Sequence, residues 1–154
     1  MDFIQIYLYN AFRERGLVLI FEGQIAKDGE FWLVEIPALN LFTQGRTKEE
    51  AFKMARGVVV DASGNSKLRI SLTKTGRHSF SVSSDDMETL IPLLLKKQRQ
   101  KAGLTVLEAS HRLGSNSPNA YGVYEQGRAR PTLEKLSVLL SAVNPAHQIK
   151  LKCA

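Results

Sequence analysis

The sequence predicts an α+β protein in which a small β-β-β-α-β-β sheet unit, residues 1–84, is followed by an all-α unit, residues 85–154. Three observations carry that reading. Short runs between residues 18 and 83 alternate apolar with polar side chains, one stretch among them switches to helical spacing, and helical spacing takes over after Ser84. A chain of 154 residues has room for two such units, since some domains fold with about 60 residues. At 44% hydrophobic and 23% charged residues it can build a core and is not a largely disordered chain.

Taken in order, residues 3–12 place Phe3, Ile4, Tyr7, Leu8, Ala11 and Phe12 at spacings of three and four. That stripe favours a helix over the strand that Ile4-Gln5-Ile6-Tyr7 would also allow. Two strands, about 18–26 and 31–36, follow from β-rich runs flanking Asp28-Gly29, a pair suited to the positive φ angles of a tight turn. Pro37 lacks an amide hydrogen and should end the second strand, leaving Leu41-Phe42-Thr43-Gln44 for a short third one. Thr47-Lys48-Glu49-Glu50 is a capping box, in which the hydroxyl accepts from the Glu50 amide and the Glu50 carboxylate reaches back to the Thr47 amide. Ala51, Ala55, Val58 and Ala62 then form a helical stripe, which Gly64-Asn65 stops. LRISL and HSFSV around Thr75-Gly76-Arg77 read as a second hairpin that completes the sheet.

Past the boundary, Ser84 or Asp85 is placed to cap a helix with Leu90, Leu94 and Leu95 inward and Lys96, Lys97, Arg99 and Lys101 in solvent. Pro92 shifts its expected start to about residue 91. Gly103 can end that helix, Thr105-x-x-Glu108 opens the next as a second capping box, and Gly114 ends it in turn. Ser117-Pro118 supplies a cap and a first-turn proline to a third helix running to about Gln126. Thr132 opens a fourth, with Leu133, Leu136, Leu139, Leu140 and Val143 inward. Helix, glycine turn and helix is the arrangement that presents a second helix to the major groove of DNA.

Charge agrees without deciding the matter. The net charge is +6; residues 1–84 carry 11 Lys/Arg against 9 Asp/Glu, and residues 85–154 carry 10 against 6, so the basic excess leans toward the helical unit. Cys153 has no partner cysteine, and His78, His111 and His147 lie far apart in sequence, so neither a disulfide framework nor a zinc site is expected. No cofactor is implied. The opening MDFIQIYLYNAFRERG has neither the basic start of a signal peptide nor the length of a membrane span, which makes a cytoplasmic address the expectation.

The segments LLKKQRQKAGLT, RLG and YEQGRARPTLEKL resemble the phage-repressor-like, or Xre-type, helix-turn-helix family over about fifty residues. The sequence departs from that family at Val106, where Gln is usual, at Ser110, where Ala is usual, and in a Gly114-to-Tyr124 interval one residue longer. A recognition helix enters the groove N-terminus first, which makes Ser117, Asn119 and Gly122 the candidates for base contact, with Asn able to pair bidentately with adenine. Thr105, Arg128 and Arg130 are the candidates for phosphate, and Tyr121 and Tyr124 for the core. Operator binding by such a short helix implies a homodimer or higher homo-oligomer.

The N-terminal unit has its own resemblance. GQIAKDGEFWLVEIPALNLFTQGRTKEEAFKMARGVVVDA is similar to the HicB antitoxin domain in its hairpin, its proline followed by Gln-Gly, and its Thr-x-Glu-Glu-Ala helix start. That family has a partial ribonuclease H fold without the activity, and many members carry a C-terminal DNA-binding domain. The resemblance implies an antitoxin of a type II toxin-antitoxin system that silences a HicA-like, mRNA-cleaving toxin and represses its own operon. A mask for a basic toxin needs acids beside an apolar anchor, which points to Phe31, Trp32 and Glu35 as toxin-facing candidates. Alternation puts Phe31, Leu33 and Glu35 on one face and Trp32, Val34 and Ile36 on the other, so if Trp32 is core, Glu35 with Phe31 is the toxin-facing pair. The alternative is a stand-alone regulator whose sheet unit binds a ligand or dimerises. An enzyme is not expected: of the acids Asp28, Glu30, Glu35, Glu49, Glu50 and Asp61, all but Glu35 sit at turns or helix ends, and Glu35 alone of these lies in a strand interior, whereas metal-dependent hydrolysis needs several converging carboxylates.

Overall fold

The structure of the chain, a computed structural model, describes residues 3–8, 18–146 and 148–153. The long strand β2 (Val18–Asp28) organises the sheet. It turns at Gly29, φ 57°, into β3 (Phe31–Ile36), and β4 (Leu41–Gly45) pairs antiparallel with β3 after a 3-10 turn at Pro37–Leu39. Helix α1 (Lys48–Ser63) follows, then β5 (Ser71–Lys74) and β6 (Ser79–Ser84). Because β6 pairs with residues 19–24 of β2 and β5 pairs with β6, the core sheet is antiparallel with the order β4-β3-β2-β6-β5.

One further strand pair was not expected. Residues Phe3–Leu8 form strand β1, antiparallel to residues 18–21 of β2, and not the helix that their spacing favoured. The backbone hydrogen bonds that β2 offers, and those of a parallel strand β7 (Gln148–Cys153) on the other side of β1, outweigh a helical stripe in so short a segment. The remainder of the expected helix, residues 9–12, lies outside the described residues.

Alternation decides which face of the sheet meets α1. Leu19, Phe21 and Ile25 on β2, Val34 and Ile36 on β3, and Phe80 and Val82 on β6 are buried against Ala51, Ala55 and Val59 of α1. Two close approaches make this packing possible. A Cβ at Gly45 would lie 2.4 Å from the Ala51 amide nitrogen, and one at Gly23 would lie 2.1 Å from the Phe80 ring, which also meets Phe52 edge-on at 5.3 Å. The cap of α1 differs from the expected box in one bond. Thr47 Oγ1 accepts from the Glu50 amide at 3.1 Å, but the Glu50 carboxylate accepts from the Arg46 amide at 2.7 Å in place of that of Thr47. The segment LRISL is a strand only from Ser71; Leu68 and Ile70 are buried core ahead of it.

Helix α2 (Met87–Lys101) begins earlier than Pro92 implied. Neither Ser84 nor Asp85 is its cap: Asp86 accepts from the Thr89 amide at 3.0 Å and the Thr89 hydroxyl at 2.8 Å, while Ser84 accepts from the Asp86 amide. That start leaves Pro92 in the second turn, where the helix forgoes one amide donor. Leu90, Leu94 and Leu95 face inward as expected. The buried Gln98 donates to the Ala38 carbonyl at 2.7 Å and accepts from Asn144 Nδ2 at 3.1 Å, and Asn65 donates to Asp86 and Thr89. Through the Asn65 and Ala38 bonds α2 is tied to the sheet unit near both of its ends, and one apolar cluster extends from Leu19 to Val143. No helix among the described residues is long and apolar enough to cross a membrane.

Candidate nucleic-acid interface and an open sheet face

Three short helices follow α2: α3 (Val106–Arg112), α4 (Asn119–Glu125) and α5 (Leu133–Val143). Gly114, φ 79°, ends α3 in the left-handed conformation that lets α4 turn back across it. The orientation of α4 is then set by buried polar atoms. Ser110, fully buried on α3, accepts from the Tyr121 amide at 3.1 Å and donates to the Pro118 carbonyl at 3.1 Å. One hydroxyl thus satisfies an otherwise orphaned amide in the first turn of α4 and fixes the turn. The buried Tyr121 hydroxyl donates to the Leu95 carbonyl at 2.8 Å, and burial pushes its pKa up.

Arg99 was expected in solvent and is not there. Its guanidinium donates through Nε to one Glu125 oxygen at 2.6 Å, through Nη2 to the other at 2.7 Å, and through Nη1 to the Leu104 carbonyl at 2.6 Å. The two side chains are 14% and 9% exposed, and the Glu125 bond holds the Arg99 pKa above its ordinary value despite burial. A planar fork with five donors suits that joint between α2 and α4 as an ammonium would not. On the far side Arg112 donates to the Ala142 carbonyl at 3.1 Å, at the end of α5.

The expected DNA-contacting residues separate into four groups. Ser117 and Asn119 are exposed at the leading end of α4, and Ser117 Oγ accepts from the Asn119 amide at 3.3 Å. Pro118 has helical angles, φ −60° and ψ −21°, so the first-turn proline is present although the regular helix starts one residue later. Arg128 and Arg130 are exposed in the α4–α5 loop, and Arg128 donates to the side chain of Gln126. Gly122 is a correction: it is buried, and a Cβ there would lie 3.2 Å from Val106 Cγ1, so it serves the close approach of α4 to α3 and offers nothing to a groove. Thr105 is a partial correction. Its hydroxyl donates to the Glu108 carboxylate at 2.8 Å while accepting from the Glu108 amide at 3.2 Å, so its one donor is already committed. The Thr105 amide and hydroxyl together hold the Glu108 carboxyl below its ordinary range.

Asn116 and Gln126, not among the expected contacts, are also exposed and flank the leading and trailing ends of α4. Of the two tyrosines read as core, Tyr121 is fully buried and Tyr124 partly so, with the Lys135 ammonium 5.7 Å from its ring.

The outer face of the sheet, opposite α1, carries the second candidate site. Register places Glu35 between Gln24 and Phe42, and Leu33 between Ala26 and Gln44. Phe31 is 36% exposed, Leu33 40% and Phe42 61%. Leu33 and Phe42, with Gln24, Ala26 and Gln44, line an open groove of about 600 Å³ around Glu35. Trp32 does not join them: it is on the inner side, partly buried, with the Lys48 ammonium 4.5 Å from its ring. Leu33 and Phe42 were the residues missed, although alternation had put Leu33 on the same face as Phe31 and Glu35. The described residues contain no group of three or more His, Cys, Asp or Glu placed to hold a metal.

No curated protein and no solved structure matches this chain. Residues 95–144, which run from the second half of α2 to the residue after α5, match the helix-turn-helix family model. This segment is an Xre-type helix-turn-helix domain, the DNA-binding module of transcription regulators.

Proposed function

We propose that the chain is an antitoxin and autorepressor: the helix-turn-helix binds operator DNA as a dimer, and the outer sheet face binds and silences a HicA-like ribonuclease toxin. The observation that carries the second half is the contrast within one sheet face. Its β5–β6 half presents Ser71, Thr73, Ser81 and Ser83, as a solvated face should, whereas its β3–β4 half presents Phe31, Leu33 and Phe42. Contiguous exposed apolar residues around one carboxylate are the anatomy of a protein-binding site, and Glu35 there would pair with a cation of a basic partner. Similarity of the N-terminal unit to HicB antitoxins supports the same partner. The chain itself is assigned no catalysis.

The test is co-expression of the toxin encoded beside the gene with the full-length chain, scored by growth and by co-purification. Glu35→Lys and Phe42→Ser should abolish rescue while retaining operator binding. Asn119→Ala should retain rescue and weaken specific operator binding by about 1–3 kcal/mol, and Arg128→Ala should weaken all DNA sequences alike. Full rescue by both sheet variants would refute the proposed toxin face. One observation favours a second reading: the groove is of small-ligand size. A regulator of that kind would change operator affinity with a small molecule and no second protein.

A further inference from the structure

On the inner side of the sheet lies a hollow of about 190 Å³ lined by Ile25, Lys48, Phe52, Lys74, Arg77 and Ser79, together with Gly76. Three of these are cations from three separate elements: the first residue of α1, the last of β5 and the β5–β6 turn. None of the three has a carboxylate partner among the described residues, and no acid lines the hollow. The Lys48 ammonium is 4.5 Å from the Trp32 ring centroid and the Lys74 ammonium 5.9 Å from that of Phe52. An aromatic face restrains an ammonium without consuming its N–H donors, so both cations are held in place with hydrogen-bonding capacity left over.

Folding alone gives little reason for this arrangement. A cation at the first residue of a helix opposes the helix dipole, and converging like charges repel. A bound polyanion removes both costs. We infer that Lys48, Lys74 and Arg77 form a phosphate-binding site, distinct from the operator-binding helices and from the open sheet face. The hollow has roughly six times the ~30 Å³ share of a liquid water, room for a phosphoryl group or a diphosphate with part of its hydration. The ligand chemistry is a phosphate ester or phosphoanhydride, from a nucleic-acid backbone or a free phosphorylated molecule. The inference stands independently of the proposed toxin partner.

Trp32 is the only tryptophan, so its emission reports on the Lys48 contact. The full-length protein would be titrated with inorganic phosphate, diphosphate and a short single-stranded RNA, each against sodium chloride of equal ionic strength, with calorimetry as a second readout. Saturable binding of diphosphate or RNA is expected. Lys74→Gln and Arg77→Gln should each weaken it at least about tenfold, the loss of one charge-assisted contact, with melting temperature and operator binding unchanged. Lys67→Gln, an exposed lysine outside the hollow, should leave it intact. RNA binding more tightly than diphosphate would identify the source as a nucleic-acid backbone; diphosphate binding as tightly or more tightly would identify a free ligand. No saturable binding by any of the three probes, or equal binding by wild type and both hollow variants, would overturn the inference.

Discussion

The sheet unit and the helical unit are held in opposite ways. In the sheet unit the decisive contacts are close approaches with no atom to spare: Phe80 lies on Gly23, and α1 lies on Gly45. In the helical unit they are directional bonds from buried polar atoms: Ser110 to Tyr121 and Pro118, Tyr121 to Leu95, and Arg99 to Glu125 and Leu104. A sheet needs its two layers at the right distance, whereas a recognition helix needs the right angle, which apolar packing specifies poorly. It follows that the sheet unit should fail when atoms are added and the helical unit when polar atoms are removed.

The largest effect should come from Glu125→Ala, which leaves the Arg99 guanidinium partly buried without its carboxylate. A loss of about 3 kcal/mol in urea denaturation is expected, with operator affinity falling as α4 loosens. The converse in the sheet is Gly23→Ala, which should cost about 1–3 kcal/mol because the Phe80 ring must move, and Phe80→Leu in the same chain should recover part of it. Recovery by Phe80→Leu separates overpacking from loss of glycine freedom. Ser110→Ala adds no atom and should still cost about 1–2 kcal/mol, by stranding the Tyr121 amide. No loss there would mean that the angle of α4 is set by packing after all.

The smallest effect concerns pH. The Glu108 carboxyl is held below its ordinary value of 4.5, so its contribution is full above that value and is lost as pH falls through the lower folded-state value. Glu108→Gln should therefore be less stable than the wild type at neutral pH, with the difference narrowing below about pH 4.5. Parallel acid titrations of the two chains by circular dichroism would measure it.

The sequence was informative wherever one residue type does one local job. Asp28-Gly29, Thr47, Gly114 and Thr132 each marked a turn or a cap that the structure contains, because those bonds form within four residues. It was misleading where a distant partner decides. Phe3–Leu8 has a helical stripe and becomes a strand because of β2 and β7, and Arg99 stands in a run of solvated cations yet pairs with a carboxylate 26 residues away. Gly122 was legible as special but not as to why: a glycine facing a groove and one facing Val106 look alike in a sequence. The open sheet face was half legible, since alternation grouped Phe31, Leu33 and Glu35 but could not say which side α1 would cover.

The pairing of β1 with β7 has a consequence in time. Ile4 is in register with Ile149, so one edge of β1 receives its partner 145 residues after it is made. At the usual ~5–20 residues per second of synthesis, that edge waits roughly 7–30 seconds. All four helices of the operator-binding half are completed in that interval beside an unpaired strand, the kind of edge through which nascent chains find one another. A chain refolding from denaturant, with both strands present from the start, never experiences that delay, so newly made and refolded protein reach this sheet by different orders of events.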